Sequence, residues 1–218
     1  MQDQNASTAA PAGAAEGPPD ARLTQVSPLL RRVIAGNGGP FTFTGTCSYI
    51  VGRGKVAIVD PGPEGRDVHL AALLEAVRGE SVSHIVVTHT HRDHSPAARA
   101  LKAATGAPIV GCGPHRPARG GARDMGGGLD SGGDREHVPD LLMREGDAVS
   151  GPGWTLQAIE TPGHTANHLA FALPQENALV SGDHVMAWST TIVAPPDGSM
   201  SDYMASLQHL LTFEHAIY

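Results

Sequence analysis

The chain has 218 residues and a formal net charge of −7, long enough for one sizeable domain with a real core. Hydrophobic residues make up 40% and aromatic residues only 4%, so that core rests on Ala, Val and Leu. The acidic balance argues against broad nonspecific nucleic-acid affinity, which needs clustered Lys and Arg, and no apolar stretch approaches the ~20 residues of a membrane span.

Residues 1–22 are dominated by Ala, Gly, Pro and small polar residues. With so few apolar side chains to offset the ordering entropy, they are expected to form a disordered tail ahead of one domain over 23–218. The N-terminus has neither a basic start nor an apolar signal core, which makes the cytoplasm the expected location. Residues 43–51 and 55–59 read as paired strands around Gly52-Arg53-Gly54, and 68–77 as a helix with Leu70, Leu73, Leu74 and Val77 on one face. A strand at 85–88 leads into Ser95-Pro96, an N-cap followed by proline at the first helical position, and a helix over 97–105 ended by Gly106.

From 111 to 140 the pattern gives way to glycine, proline and charge; loops this long inside a compact domain are functional or disordered. Arg116, Arg119 and Arg123 form either an anion-binding patch or a solvated basic surface, the commoner outcome, and His115 and His137 read as surface residues. Further strands are predicted at 154–159 and 178–180, then a helix over 201–213 with Met204, Leu207, Leu210 and Leu211 at helical spacing. Strands and helices alternate early and strands dominate later, a pattern that fits two sheets packed face to face with helices outside. Cys47 and Cys112 lie in no metal-type spacing and read as buried free thiols.

The chemistry is concentrated at 88–94, Thr-His-Thr-His-Arg-Asp-His, directly after the apolar run Ile85-Val86-Val87. Neutral imidazoles and ionised carboxylates suit borderline divalent metals such as Zn²⁺, Fe²⁺ or Mn²⁺, and burying them without a cation would be costly. At a strand end, His89 and His91 fall on the same side and can reach one ion. Asp93 and His94 follow where the chain turns and point elsewhere, toward a second ion. Four donors are too few to close two sites, and later turns supply more. His164 sits in a Pro-Gly turn after the strand at 154–159, and Asp183 closes the apolar run Ala178-Leu179-Val180 through Ser181-Gly182. Taken alone, each of these later motifs is weak, since Asp after Gly is common in ordinary turns. Their order along the chain carries the specificity.

Through HTHRDH at 89–94, TPGHT at 161–165 and SGD at 181–183, the chain resembles the metallo-β-lactamase fold superfamily, and within it the glyoxalase II-like and β-lactamase-like-2 hydrolases. The resemblance implies an α+β fold, a four-layer αββα sandwich with metals at the strand ends along one edge. It also implies ligand roles: His89, His91 and His164 on one metal, Asp93 and His94 on the second, Asp183 bridging both. Asp60, at the end of the strand at 55–59, would buttress the metal loop, and His168 and His184 would support the ligands from behind. In the family a further His, in a Pro-Gly-His-Gly turn just after a strand, completes the second site. The sequence ends at Tyr218 before any such turn, so the expectation is a domain incomplete at its C-terminus, with His209 and His215 the weaker candidates for substitution.

Two adjacent divalent ions, zinc with iron or manganese as alternatives, would activate water for attack on an electrophilic centre, with Asp93 orienting it. The expected activity is hydrolysis of an ester, thioester or lactam bond in a small molecule. Single-strand ribonuclease activity is the alternative, then a catalytically impaired metal-binding fragment, while an iron redox enzyme is disfavoured. No membrane partner is expected, and oligomeric state leaves no trace in the pattern.

Overall fold

The computed structural model describes residues 22–118 and 132–213. The first sheet contains seven strands in sequence order: β1 (Leu23–Gln25), β2 (Leu30–Ile34), β3 (Cys47–Val51), β4 (Lys55–Val59), β5 (Ser81–Val87), β6 (Ile109–Gly111) and β7 (Leu141–Leu142). From β1 to β4 the pairing is antiparallel; from β4 to β7 it is parallel. Parallel neighbours need crossovers, and the helices α1 (Asp67–Ala76) and α2 (Ala97–Thr105) provide the first two.

The second sheet is an antiparallel meander in the order β11-β10-β9-β8, from β8 (Ala148–Gly151), β9 (Trp154–Glu160), β10 (Leu169–Leu173) and β11 (Ala178–Val180). Strand β10 is buried on both faces and its sequence shows how. Leu169, Phe171 and Leu173 join the core between the sheets, while Ala170 and Ala172 face the other way with Ile159, Leu179 and Leu210. The period of two thus sorts large residues inward and small ones outward, and the small ones let helix α3 (Met200–Leu210) settle on the sheet. The result is the four-layer αββα sandwich expected from the sequence.

Several local readings need correction. Residues 43–46 are not strand: Asn37 clamps Thr46 with both ends of its amide, accepting from Thr46 N–H and donating to Thr46 Oγ1, and Phe43 takes φ 53°. Side-chain hydrogen bonds here replace a strand ladder. Ser95 does not cap α2, because its hydroxyl donates instead to the buried Asp134 carboxylate at 2.8 Å. The helix itself runs over the expected residues and ends in left-handed Gly106. Helix α3 buries Ser206 and Leu210 and leaves Met204 and Leu211 exposed, because Leu210 packs on the small face of β10 and Ser206 donates to Pro162 O at 2.7 Å. His137 is buried against the Cys112 carbonyl at 3.2 Å rather than on the surface. Cys47 is half-buried and only Cys112 is enclosed. Residues 1–21, Arg119, Arg123 and His215 lie outside the described residues.

Candidate metal centre

The two sheets meet at one end through a backbone hydrogen bond, Leu169 N–H to Thr88 O at 2.8 Å. It sets the loop after β5 against the turn between β9 and β10. His89, His91, His94 and His164 all come to this junction, each no more than 5% exposed. His91 Nδ1 lies 3.1 Å from His89 Nε2 and 2.8 Å from His164 Nε2. Asp183, delivered by the turn after β11, places Oδ2 at 3.6 Å from His164 Nε2 and 3.9 Å from His89 Nε2. Its Oδ1 faces the other way, 3.4 Å from His94 Nε2, and Asp93 Oδ2 meets that same nitrogen at 3.3 Å. Asp183 therefore stands between two donor groups.

The far ring nitrogens explain why these near ones face each other. His164 Nδ1–H donates to the Ile192 carbonyl at 2.6 Å, so its Nε2 carries a lone pair in the neutral ring. His94 Nδ1–H donates to Asp60 Oδ2 at 3.0 Å. Thr88 gives its hydroxyl proton to Asp60 at 2.7 Å and so accepts from His89 Nδ1–H at 2.9 Å. Two imidazoles from the segment after β5 and one from the turn after β9 thus aim lone pairs toward this junction, an arrangement that repels itself unless cations sit in it. Nitrogens held 2.0–2.1 Å from a tetrahedral ion lie about 3.3 Å apart, close to the spacing seen. The donor set fits a divalent metal.

Electrostatics agree. Burial, then the neighbouring imidazoles, push His89 well below its ordinary value, keeping it neutral. Burial would raise the Asp93 carboxyl, but His94 and the Thr46 hydroxyl at 2.7 Å hold it below the usual range. His94 is pushed up by the Asp93 and Asp183 carboxylates against its own burial; a field that favours a proton there favours a divalent cation more. The grouping of Asp60 with His89 and His94 is also close enough to hold an ion. However, Asp60 already accepts from Thr88 N–H at 2.8 Å, from the Thr88 hydroxyl and from His94, which makes it a brace for two ligand-bearing segments.

Two glycines set the geometry. Gly163, at φ 147°, lets the His164 turn approach α3: a Cβ there would lie 2.3 Å from Tyr203 Cα. Gly182, at φ 52°, lets Asp183 approach the histidines, since a Cβ would lie 2.7 Å from His168 Nε2 and 3.0 Å from Thr88 Oγ1. His168 is fully enclosed, with Nδ1 2.7 Å from Thr161 Oγ1 and its ring 5.0 Å from that of His89. His184 stands one layer further out, between His168 and Tyr203, and burial pulls it to about 4. His209 is remote, pairing with Glu145 at 3.3 Å on the surface. Arg116 donates to Ala166 O at 2.7 Å.

Sequence reasoning missed Thr46, His115 and Asp197. His115 was read as a surface residue, yet its side chain is 9% exposed and faces Asp197 at 3.3 Å. Beside Asp93, His94 and Asp183 opens a cavity of about 520 Å³, walled by Arg32, Phe41, Met186 and the stacked pair Phe43 and Trp188.

Residues 41–218 match the family model described as metallo-beta-lactamase superfamily. The chain is 31% identical over 197 residues to the atrochrysone carboxyl ACP thioesterase dmxR1 of Cryptosporiopsis sp. (strain 8999), covering 88% of this chain and 53% of that protein. It is 32% identical over 201 residues to a beta-lactamase-like protein 2 homolog of Caenorhabditis elegans, covering 86% and 61%. The chain thus spans a little over half the length of these curated relatives. Among solved structures, TTHA1623 in a di-iron-bound form superimposes with a TM-score of 0.58 at 26% identity, covering 83% of this chain and 85% of that one.

Proposed function

The chain belongs to the metallo-β-lactamase superfamily, and on that premise we propose that it acts as a metal-dependent hydrolase on a small-molecule thioester, ester or lactam, with thioesters first. The observation that carries the reading is the convergence of His89, His91 and His164 on one space with Asp183 between them and His94. In this reading His89 Nε2, His91 Nδ1 and His164 Nε2 hold one ion, His94 Nε2 and Asp93 a second, and Asp183 both. Zinc is the first candidate; iron is the alternative, supported by the di-iron form of one relative. Bound there, divalent ions supply water activation near neutral pH and Lewis-acid polarisation of the scissile bond.

The protein's own residues do the rest. Asp93 has Oδ2 engaged by Thr46 and His94, which leaves Oδ1 to orient a water; held well below the usual range, the carboxylate suits that task better than storing a proton. Asp60 keeps His94 and Thr88 in place. The cavity of about 520 Å³ has the size of a small-molecule site, and its aromatic rim suits an apolar acyl body. The thioesterase name of one relative favours the thioester. Among the residues lining the cavity, Arg32 is the one Arg or Lys, beside Asp60, Asp93 and Asp183, which weighs against a polyanionic RNA strand.

The test is a panel of acyl thioesters, a chromogenic β-lactam and a single-stranded RNA, with metal content measured on the same preparation. Turnover of a thioester that disappears with chelator and returns with zinc or iron supports the proposal. Cleavage of RNA alone, or metal-dependent oxygen uptake, overturns it.

A further inference from the structure

Asp197 is 5% exposed, in a turn that no ligand motif predicts. A buried carboxylate is costly unless its oxygens are met by donors, and both of its oxygens face imidazoles. Oδ1 lies 3.3 Å from His115 Nε2 and Oδ2 lies 3.7 Å from His91 Nε2. The second contact is long for a hydrogen bond and brings carboxylate and ring into ion-pair range.

The hydrogen bonds behind His115 are all satisfied when they run in one direction. Thr165 donates its hydroxyl to Asn167 Oδ1 at 2.9 Å, and Asn167 Nδ2 donates to Thr90 Oγ1 at 3.0 Å. Thr90 then turns its own proton on His115 Nδ1 at 3.0 Å. His115 is left with its proton on Nε2, aimed at Asp197. The other carboxylate oxygen stands 3.7 Å from His91 Nε2; a proton drawn to that nitrogen leaves the His91 lone pair on Nδ1, the atom that faces His89 and His164. The backbone of the turn is fixed as well: Ala118 N–H bonds Pro196 O at 2.9 Å and Ser199 N–H bonds Gly163 O at 2.9 Å.

We propose that Asp197 is a positioning residue for His91: with His115 behind it, its carboxylate selects the ring tautomer and orientation that present Nδ1 to a metal ion. This rests on the metal-centre reading above. It assigns to the 195–198 turn a task that neither the ligand motifs nor a general need for stability requires. Carboxylate partners behind a ligating imidazole typically affect metal affinity by about 10–100-fold.

The experiment titrates the full chain with Zn²⁺ against a chromophoric chelator and records the visible bands of the Co²⁺-loaded protein, for wild type, Asp197→Asn, Asp197→Glu, His115→Gln and His91→Ala. The expected result is a loss of affinity of about 10–100-fold in Asp197→Asn, partial recovery in Asp197→Glu, and a smaller loss in His115→Gln. The Co²⁺ bands should shift while the unfolding midpoint of the metal-free protein stays near that of wild type. Wild-type affinity and spectrum in Asp197→Asn overturn the proposal, as does a loss matched by an equal fall in metal-free stability. Should Asp197→Asn fail to fold, unchanged affinity in His115→Gln overturns it. If His91→Ala also binds like wild type, the metal-centre reading itself falls; if His91→Ala alone loses metal, that reading stands and the role of Asp197 does not.

Discussion

Asp60 Oδ2 holds His94 Nδ1 at 3.0 Å while both Asp60 oxygens take donors from Thr88, N–H at 2.8 Å and O–H at 2.7 Å. One carboxylate at the end of β4 thereby locks the end of β5 and the turn six residues further on. Asn tolerates the left-handed backbone that Asp60 adopts, φ 48°, so Asp60→Asn tests the charge without disturbing the turn. We expect a stability loss of about 2–4 kcal/mol, since the new amide cannot accept all three donors, and a fall in metal affinity of about 10–100-fold. Urea denaturation and chelator competition read the two effects separately.

Asp183 faces donors on both sides, so Asp183→Asn should reduce bound metal more than Asp93→Asn does. Elemental analysis of dialysed protein checks the order. Chelator treatment should also lower the unfolding free energy of the wild type, by about 2.7 kcal/mol when metal had been present at 100 times its Kd. Equal unfolding curves with and without chelator would speak against a metal bound to the folded state.

His69 is 2% exposed, its Nε2 set 2.9 Å from Ser48 Oγ, and burial pulls its pKa down from 6.5 to about 4. Because the folded value lies below the ordinary one, the unfolded chain takes up its proton first as the pH drops. The contribution of this residue to stability is whole above pH 6.5, declines between 6.5 and about 4 and is gone below that. The loss amounts to at most about 3 kcal/mol. His69→Gln should flatten the dependence of stability on pH by up to one proton in this window, as read from urea midpoints at pH 7 and pH 5.

Gly163 has no room for a methyl group, with Tyr203 Cα 2.3 Å from where it would sit. Gly163→Ala should push α3 off the His164 turn, destabilise the protein by about 1–3 kcal/mol and weaken metal binding together with stability. Loss of both in one variant, where His164→Ala loses metal first, would show that the helix seats the turn.

Phe43 and Trp188 stack at 5.1 Å between centroids on the cavity rim although both are largely exposed. Trp188→Ala should raise KM about 3–10-fold for an apolar acyl substrate with little change in kcat, in line with the about 0.5–1.5 kcal/mol of an aromatic contact. A change confined to kcat would place the ring at the reacting centre instead.

The candidate site was legible because its members sit where an apolar run stops: His89 and His91 after Val87, Asp183 after Val180, and the bracing Asp60 after Val59. Strand ends are local features, and alternation fixes which side chains share a face. His115 and Asp197 left no such mark. Each is a lone polar residue in a loop, and only the chain's long-range path brings 115 and 197 together behind His91. The helix at 201–213 was legible as a helix, but the face it buries was not. Its apolar residues mark one face, but which face is covered depends on the alanines of β10, some 30 positions earlier.

Gly182 leaves open a gap that the His168 ring fills. How closely the chain carrying Asp183 approaches the histidines is therefore gauged by the ring of His168. On the proposed reading, a change of ring size at position 168 would alter the separation between the two donor groups without touching a residue of either.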